Sequence, residues 1–207
     1  MSRIIAITGG IGSGKSVVSR LLRVMGYTVY DCDERAKYVM THDAELRSQL
    51  TALFGPEAYL TDGQGRLQLN RPLLSARIFA DRQLLSQMNA CVHPAVARDM
   101  RLHIAAEPTA RLFFYESAIL YESGFEHLIC PDEVWTVSAP LPLRIARAMQ
   151  RDGATHDQVI SRINSQLPQE DKERRAQHVI LNDDRHSVIA QVRALLAATS
   201  IPTTSPC

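Results

Sequence analysis

The sequence predicts an α/β protein in which helices wrap a five-stranded parallel sheet. Apolar, strand-like runs alternate along the chain with helical patterns, which is typical of parallel sheets. A glycine-rich segment, "GGIGSGKS" at residues 9–16, separates the first strand-like run from the first helical pattern. Two long helical stretches interrupt the alternation, and they predict a helical substrate-binding insertion and a helical lid.

Five strand-like runs define the expected sheet. They lie at residues 3–8, 27–31, 111–116, 133–138 and 178–182. Residues 41–108 contain no strand-like run, and we expect only helices there, broken by "TDGQG" at residues 61–65 and by His93-Pro94. A crossover connection needs only about 10–12 residues. The excess of helix therefore predicts a separate acceptor domain.

Residues 141–177 form the second helical excess. A helix is expected to end at Gly153, and a capping box of Thr155 and Gln158 is expected to start the next helix. Two helices joined by a tight turn and carrying exposed arginines have the form of a lid. The predicted units are a nucleotide-binding core (1–40, 109–140 and 178–200), an acceptor domain (41–108) and a lid (141–177). The tail "ATSIPTTSPC" is expected to be frayed.

The charge balance argues against partners that need a strong electrostatic field. The chain of 207 residues has 23 Lys and Arg against 22 Asp and Glu, a net charge of +1, which favours neither nucleic acid nor an anionic membrane. No apolar run approaches the ~20 residues of a membrane-spanning helix. Because no charged leader and apolar segment precede the first strand, we expect a cytoplasmic protein. We expect it to be a monomer or a weak homo-oligomer.

The cysteines are typical of reduced thiols in the cytosol. The four of them, Cys32, Cys91, Cys130 and Cys207, are spread along the chain without a C-x-x-C pair. This spacing argues against a disulfide framework and against a zinc site.

The glycine-rich segment matches the phosphate-binding pattern G-x-x-x-x-G-K-[ST] and lies between a strand and a helix, which is the context that the pattern requires. Its glycines let backbone N–H groups turn inward around an anion at the start of the helix. Lys15 supplies a charge for the β- and γ-phosphates of ATP, and Ser16 supplies a hydroxyl for Mg²⁺. A glycine-rich turn or a chance match is the weaker interpretation. The predicted nucleotide-binding residues are Gly10, Ile11, Gly12, Ser13, Gly14, Lys15, Ser16 and Val17.

The motifs of other P-loop proteins are missing. The guanine-reading N-K-x-D of a GTPase does not occur in "VSAPLP" or "ILNDD", and no L-S-G-G-Q segment of a transporter ATPase is present. A small-molecule kinase of the P-loop NTPase fold is the interpretation that remains, since such an enzyme needs an acceptor insertion and an arginine-bearing lid. A kinase acting on a different nucleoside or alcohol, or a nucleotide sensor without turnover, remains an alternative.

Two carboxylates end the second strand. Asp31 and Asp33 are expected beside the P-loop strand, at the edge of the sheet where ligands bind in open parallel sheets. We predict a catalytic role for Asp33. Capping of the following helix is its alternative and compatible role. Lys37, four residues on, lies on the same helix face and is a candidate ion-pair partner.

Several segments together resemble the dephospho-coenzyme A kinase family. They are "TGGIGSGKS", "YDCDERAK", "NACVHPAV", "ESAILYESGFEHL", "QRDGATHDQV" and "HVILND", and the resemblance spans about residues 3–196. It implies transfer of the ATP γ-phosphoryl group to the ribose 3'-hydroxyl of dephospho-coenzyme A, the last step of coenzyme A biosynthesis. Asp33 matches the family aspartate that accepts the proton of that hydroxyl.

The sequence departs from the family pattern after the third strand. Many members have an Asp followed by Pro-Leu-Leu where this chain has Glu116 and Ser117-Ala118-Ile119-Leu120. Glu116 is expected either to hold Mg²⁺ through water or to pair with a nearby Lys or Arg. A frequent Thr after the P-loop serine is Val17 here, which removes one optional hydroxyl.

Three arginines of the lid, Arg144, Arg147 and Arg151, fall on one helix face. The resemblance implies that at least one contacts phosphate when the lid closes, and Arg147 is our candidate for a catalytic role. A solvated helix surface is the alternative for these three arginines. The basic residues Lys172, Arg174 and Arg175 are expected to form a solvated run, with reinforcement of the phosphate contact as their alternative.

In the acceptor domain, His93 is a candidate for substrate contact or for a structural role at a helix start or kink next to Pro94. Arg77 is a second candidate, with a surface ion pair as its alternative. The aromatic residues Tyr115, Phe125 and Trp135 are expected in the core.

Overall fold

A computed structural model describes residues 2–199. Within this range the strands are β1 (Arg3–Thr8), β2 (Val29–Asp31), β3 (Tyr59–Thr61), β4 (Leu67–Leu69), β5 (Leu112–Glu116), β6 (Glu133–Ser138) and β7 (His178–Leu181). The α-helices are α1 (Lys15–Val24), α2 (Cys32–His42), α3 (Ala44–Phe54), α4 (Arg71–Ala80), α5 (Arg82–Ala106), α6 (Phe125–Ile129), α7 (Leu141–Asp152), α8 (His156–Asn164), α9 (Gln169–Arg175) and α10 (Val188–Thr199). The predicted tail lies almost entirely outside the described residues.

The main sheet confirms the predicted fold class. Its five parallel strands run in the order β2-β5-β1-β6-β7, so β1 is central and the P-loop leaves the middle of the sheet. Asp31 at the end of β2 is the register partner of Glu116 at the end of β5. The carboxyl ends of three neighbouring strands therefore bring the P-loop and these two carboxylates to one edge.

Helices cover both faces of this sheet. On one face, Phe113 and Tyr115 pack with residues of α2, α3 and α5. On the other face, Phe114 and Trp135 pack with residues of α1 and α10. Tyr115, Phe125 and Trp135 are buried, which confirms their expected place in the core. Each fully buried large apolar side chain contributes about 1.5–3 kcal/mol.

The expectation that residues 41–108 hold no strand is wrong. Strands β3 and β4 pair as an antiparallel hairpin around "TDGQG". The Asp62 carboxylate accepts the backbone N–H groups of Gln64 and Arg66, both at 2.9 Å, and so forms the turn. Each strand has only three residues and most of them are exposed or half-buried, so neither leaves an apolar run in the sequence.

The expected break at His93-Pro94 is also wrong, because α5 continues through Pro94. A proline inside a helix costs about 3 kcal/mol. The apolar face of α5 offsets this cost: Val92, Val96 and Met100 are buried against α2 and α3. Tertiary packing thus outweighs the local signal.

The lid segment has the predicted local structure. Helix α7 ends at Gly153, whose φ of 62° is left-handed, and Thr155 and Gln158 form both bonds of the capping box at the start of α8.

No helix within residues 2–199 is long and apolar enough to cross a membrane. The described cysteines Cys32, Cys91 and Cys130 are free thiols, while Cys207 lies outside the described residues.

Candidate active site

The P-loop between β1 and α1 depends on glycines at close contacts. Gly12 has φ +76° and Gly14 has φ +98°. A Cβ atom at Gly12 would overlap the backbone oxygen of Arg144, and one at Gly14 would overlap the side-chain amide of Asn182. The first turn of α1 carries no acidic residue, so the positive end of its dipole faces the loop without an opposing charge.

Lys15 lies inside this loop. Its Nζ donates to the carbonyl oxygens of Gly9 at 2.9 Å and Gly10 at 3.3 Å. Burial lowers the pKa of Lys15 to about 8; the Glu116 carboxylate opposes this shift and the Lys172 ammonium adds to it. A bound phosphate would favour the charged form, since an anion nearby stabilises the ammonium.

A cavity of about 300 Å³ opens in front of the loop. It brings together most of the predicted site residues, and Ala118 and Arg162 line it as well. The full lining is Ile11, Gly12, Gly14, Lys15, Ser16, Val17, Asp33, Glu116, Ala118, Arg147, Arg151 and Arg162. Two predicted P-loop residues do not line it. Ser13 is fully buried, and the N–H of Gly10 donates instead to Gln169 Oε1 at 2.9 Å.

Asp31, and not Asp33, caps helix α2. The Asp31 carboxylate accepts the N–H groups of Asp33 and Glu34, both at 3.0 Å. Within residues 2–199 the Asp33 carboxylate has no hydrogen bond or ion pair, so the expected pair with Lys37 is absent. Asp33 lines the cavity. The expectation that Asp33 caps α2 is wrong, because Asp31 is the capping residue.

The carboxyl groups at this edge of the sheet repel one another. Asp33 is solvent-exposed as a whole residue, yet nearby protein partly desolvates its carboxyl group and raises its pKa, and the Asp31 charge raises the pKa further. Lys15 and Lys37 oppose this shift. Burial likewise raises the pKa of Glu116. No ion pair of Glu116 is found in the described part of the chain.

A second cavity, of about 200 Å³, meets the first at Asp33. It lies between α2, α5 and the segment after β5, and its walls are mainly apolar: Cys32, Ala36, Met40, Met88, Val92, Val96, Ile119 and Phe125. His93, Asn89 and Ser123 line both this cavity and an outer one of about 670 Å³. These shared lining residues put the three cavities side by side along a path, with Asp33 between the first two.

His93 lies on this path and Arg77 does not. Burial lowers the pKa of His93, and its ring meets that of Phe125 edge-on at 6.5 Å. The Arg77 guanidinium donates to the carbonyl oxygen of Phe54 at 2.6 Å, at the end of α3. This contact favours a structural role for Arg77, and its contact with substrate stays a prediction.

The lid arginines separate into two groups. Arg147 and Arg151 line the cavity in front of the P-loop, called the phosphate cavity below for its position, but Arg144 is buried and donates from Nε to the Ile11 carbonyl oxygen at 3.0 Å. The expectation of exposed lid arginines is therefore wrong for Arg144. Arg147 also binds the carbonyl oxygen of Asn182 at 2.8 Å and the Asp184 carboxylate at 2.6 Å.

Arg162 on α8 is a cavity residue that sequence reasoning missed. The Asp152 carboxylate holds it, at 2.6 Å, together with Arg151, at 2.7 Å. Both arginines line the phosphate cavity. No sequence motif marks Arg162. Only its place on the second of the two predicted lid helices could have suggested that it enters the cavity.

Three amide side chains that support the P-loop were missed as well. Gln166 Oε1 accepts the N–H of Ile11 at 2.9 Å, Gln169 accepts that of Gly10, and Asn182 Nδ2 donates to the Ser13 carbonyl oxygen at 2.9 Å. They lie far from the loop in sequence, and no local pattern marks them.

The expectation that Lys172 belongs to a solvated run is wrong, because its side chain is fully buried.

Comparison with known proteins identifies the family. A family model described as dephospho-CoA kinase matches residues 3–187. The chain belongs to the dephospho-CoA kinase family. The dephospho-CoA kinase of Bacteroides fragilis is 42% identical over 193 residues, covering 93% of this chain and 91% of that protein. That of Porphyromonas gingivalis is 42% identical over 189 residues, covering 91% and 90%.

Solved structures agree with the fold of this dephospho-CoA kinase family member. The structure of TT1252 from Thermus thermophilus has a TM-score of 0.80 and 35% identity, covering 95% of this chain and 97% of that one. The dephospho-CoA kinase from Campylobacter jejuni (TM-score 0.65, 21% identity, 96% of each chain) supports the fold alone. Family membership confirms the resemblance found in the sequence: the chain is a kinase of coenzyme A biosynthesis that uses ATP to phosphorylate dephospho-CoA.

Proposed function

We propose that the cavities meeting at Asp33 are the two substrate sites of this kinase. The P-loop cavity holds the triphosphate of ATP, and the apolar cavity with its outer extension holds dephospho-CoA, whose ribose 3'-hydroxyl lies at Asp33. The observation that carries the proposal is that Asp33 lines both cavities. A phosphoryl donor and its acceptor must meet at one point, and here that point holds a carboxylate that has no hydrogen-bond partner in the described part of the chain.

Asp33 orients the acceptor hydroxyl and takes its proton. Phosphoryl transfer asks mainly for positioning and charge stabilisation, so a carboxylate within reach of the hydroxyl suffices as base. Its raised pKa makes Asp33 a stronger proton acceptor than an ordinary aspartate. Because Asp31 caps α2, Asp33 keeps its carboxylate available for the substrate.

Cationic groups surround the transferred phosphoryl group. Lys15, Arg147, Arg151 and Arg162 line the phosphate cavity and stabilise the negative charge that spreads over the phosphoryl oxygens. We assign the catalytic role in the lid to Arg147 first, and we assign residues 141–177 as the lid that brings the arginines to ATP.

The cavity also fits Mg²⁺. Ser16 and Glu116 offer a hydroxyl and a carboxylate at the same cavity, and Mg²⁺ prefers one or two such protein oxygens together with phosphates and waters. No group of three His, Cys, Asp or Glu side chains within residues 2–199 is placed to hold a metal ion, in keeping with that mode of binding. Bound there through Ser16 and water-bridged Glu116, Mg²⁺ would neutralise phosphate charge.

We assign residues 41–108 as the dephospho-CoA domain, and its helix α5 forms one wall of the acceptor cavities. His93 is placed there as a neutral hydrogen-bonding group, since burial lowers its pKa. The apolar wall suits the uncharged parts of the acceptor. A cytoplasmic location and a monomeric or weakly oligomeric state stay part of the proposal.

Coupled ADP release over a panel of acceptors tests this function. We expect release with dephospho-CoA far above that with water, and a product whose new phosphate is on the ribose 3'-oxygen by phosphorus NMR. Coenzyme A is the matched control, because its 3'-oxygen already carries phosphate and it should release no ADP above the water rate. If dephospho-CoA gave no more ADP than water, the proposal would be wrong.

A further inference from the structure

Lys172 is a fully buried ammonium group that the proposed mechanism does not use. It lies on α9, its side chain has no exposed surface, and its Nζ lies 2.6 Å from Glu122 Oε1. The same Nζ donates to the carbonyl oxygen of Ala118 at 3.0 Å. Both partners belong to one segment, residues 117–124, which follows strand β5 and is called the bridging segment below.

Stability alone does not account for this arrangement. Removing an ammonium and a carboxylate from water is so unfavourable that an apolar pair of similar volume often stabilises a fold as well or better. Direct phosphate binding is excluded, because the Lys172 side chain is fully buried and does not line the phosphate cavity. What the charge provides is a directed bond to two points of the bridging segment.

The bridging segment borders both substrate cavities. Ala118 lines the phosphate cavity. Glu122 lines the outer cavity, and Ser123 lines both the outer and the apolar cavity. A shift of this segment would therefore move one wall of the acceptor path relative to the phosphate site.

The residues around Lys172 are attached to the P-loop on their other side. Gln166 and Gln169 accept the N–H groups of Ile11 and Gly10, both at 2.9 Å. The N–H of Leu167 donates to Glu122 at 2.8 Å. Residues 166–172 thus contact the P-loop at one side and the bridging segment at the other, and Lys172 makes the charged contact between them.

We propose that Lys172 is a positioning residue for phosphoryl transfer. By binding Ala118 and Glu122 it holds the bridging segment at a set distance from the P-loop, so that the acceptor hydroxyl and the γ-phosphate meet at Asp33. The inference rests on the proposed placement of the acceptor. It concerns alignment, and misplacing reacting groups by about 1 Å lowers rates by up to about a hundredfold.

Steady-state kinetics of Lys172→Met test this role. We expect kcat to fall about tenfold to a hundredfold and the KM for dephospho-CoA to rise, while the KM for ATP stays within about twofold, because glutamines and not Lys172 hold the P-loop. Arg174→Met is the matched control: this exposed arginine of the same helix pairs with Asp171 at the surface, and we expect wild-type kinetics.

A second variant separates positioning from folding. Lys172→Met removes the charged partner of the partly exposed Glu122 carboxylate, which keeps its bond from the Leu167 N–H, whereas Lys172→Met with Glu122→Gln removes both charges. We expect the double variant to regain the thermal midpoint of the wild type and to keep the low kcat and the raised acceptor KM. Recovery of kcat and KM together with the midpoint would overturn the inference and leave the pair a purely structural one.

Met88→Trp tests the acceptor placement independently, because the larger side chain fills the apolar cavity. If Met88→Trp raises the acceptor KM and Lys172→Met changes neither kcat nor KM, the inference is wrong and the placement stands. An unchanged acceptor KM in Met88→Trp would show the placement to be wrong, and the inference would fail with it.

Discussion

Two aspartates at adjacent sites of the chain show how the surroundings of a single residue decide its role. Asp31 and Asp33 lie two positions apart at the start of one helix, yet the Asp31 carboxylate accepts two backbone N–H groups and, among residues 2–199, the Asp33 carboxylate accepts none. A capping carboxylate is committed to its helix. Asp33 is therefore the carboxylate that remains available to a substrate, although an aspartate at either position suits both roles by its chemistry.

Asp33→Asn should lower kcat by about 10²-fold or more, the order expected for a positioned base, because the amide cannot accept a proton. The variant keeps the shape of the side chain, so we expect the affinity for ATP to stay close to that of the wild type in equilibrium titration. A kcat near that of the wild type would contradict the catalytic assignment.

The same prediction has a pH dependence. Asp33 acts as a base only when ionised, and its pKa is raised by desolvation and by Asp31. Activity is therefore fully present well above that pKa and is lost as the pH falls through it, and the acid limb of kcat/KM lies above the ordinary aspartate value of about 3.9. Asp33→Asn should lack this limb in its residual activity.

Among the elements, the proposed lid (residues 141–177) combines helix ends that the sequence predicts with cavity residues that it does not predict. The glycine at the end of α7 and the capping box of α8 are local signals that sequence alone shows. Which arginines enter the cavity depends on how the two helices pack, so Arg162 joins Arg151 at Asp152 while Arg144 turns into the P-loop.

Arg162→Met is expected to lower kcat about tenfold to a hundredfold, as loss of one charge that stabilises the transition state does. The side chain is half exposed and its helix lies at the surface, so we expect little change in the thermal midpoint. Arg185→Met, an exposed arginine outside the cavity, is the matched control for kinetics. Equal rates in the two variants would remove Arg162 from the site.

At the scale of the whole molecule, one core joins the sheet to the acceptor side. Leu50 on α3 and Met100 on α5 are fully buried in the same cluster as Phe113 of the central sheet. Helix α5, which borders the proposed acceptor cavities, is thus packed onto the main sheet.

Leu50→Ala should lower the free energy of unfolding by about 2–5 kcal/mol, since it removes buried apolar surface and leaves a cavity. Urea denaturation followed by circular dichroism measures the change. The control is Leu102→Ala on α5, where the leucine is 70% exposed and the expected change is within about 0.5 kcal/mol. Similar losses in both variants would contradict the assignment of Leu50 to the core.

The pattern of residues alone is enough to predict the P-loop, the five strands of the sheet, the helix caps in residues 141–177 and, through the motifs, the family. These features depend on residues close together in the chain, so spacing and side-chain type indicate the local geometry. Three features appear only in the folded molecule: α5 runs through Pro94; Gln166, Gln169 and Asn182 support the P-loop; and the cavities adjoin at Asp33. The contacts of the three amides join residues 155 to 169 positions apart in the chain, and Lys172 is buried against Glu122 of a different segment. Only packing decides which member of a basic run is buried and which partner it meets.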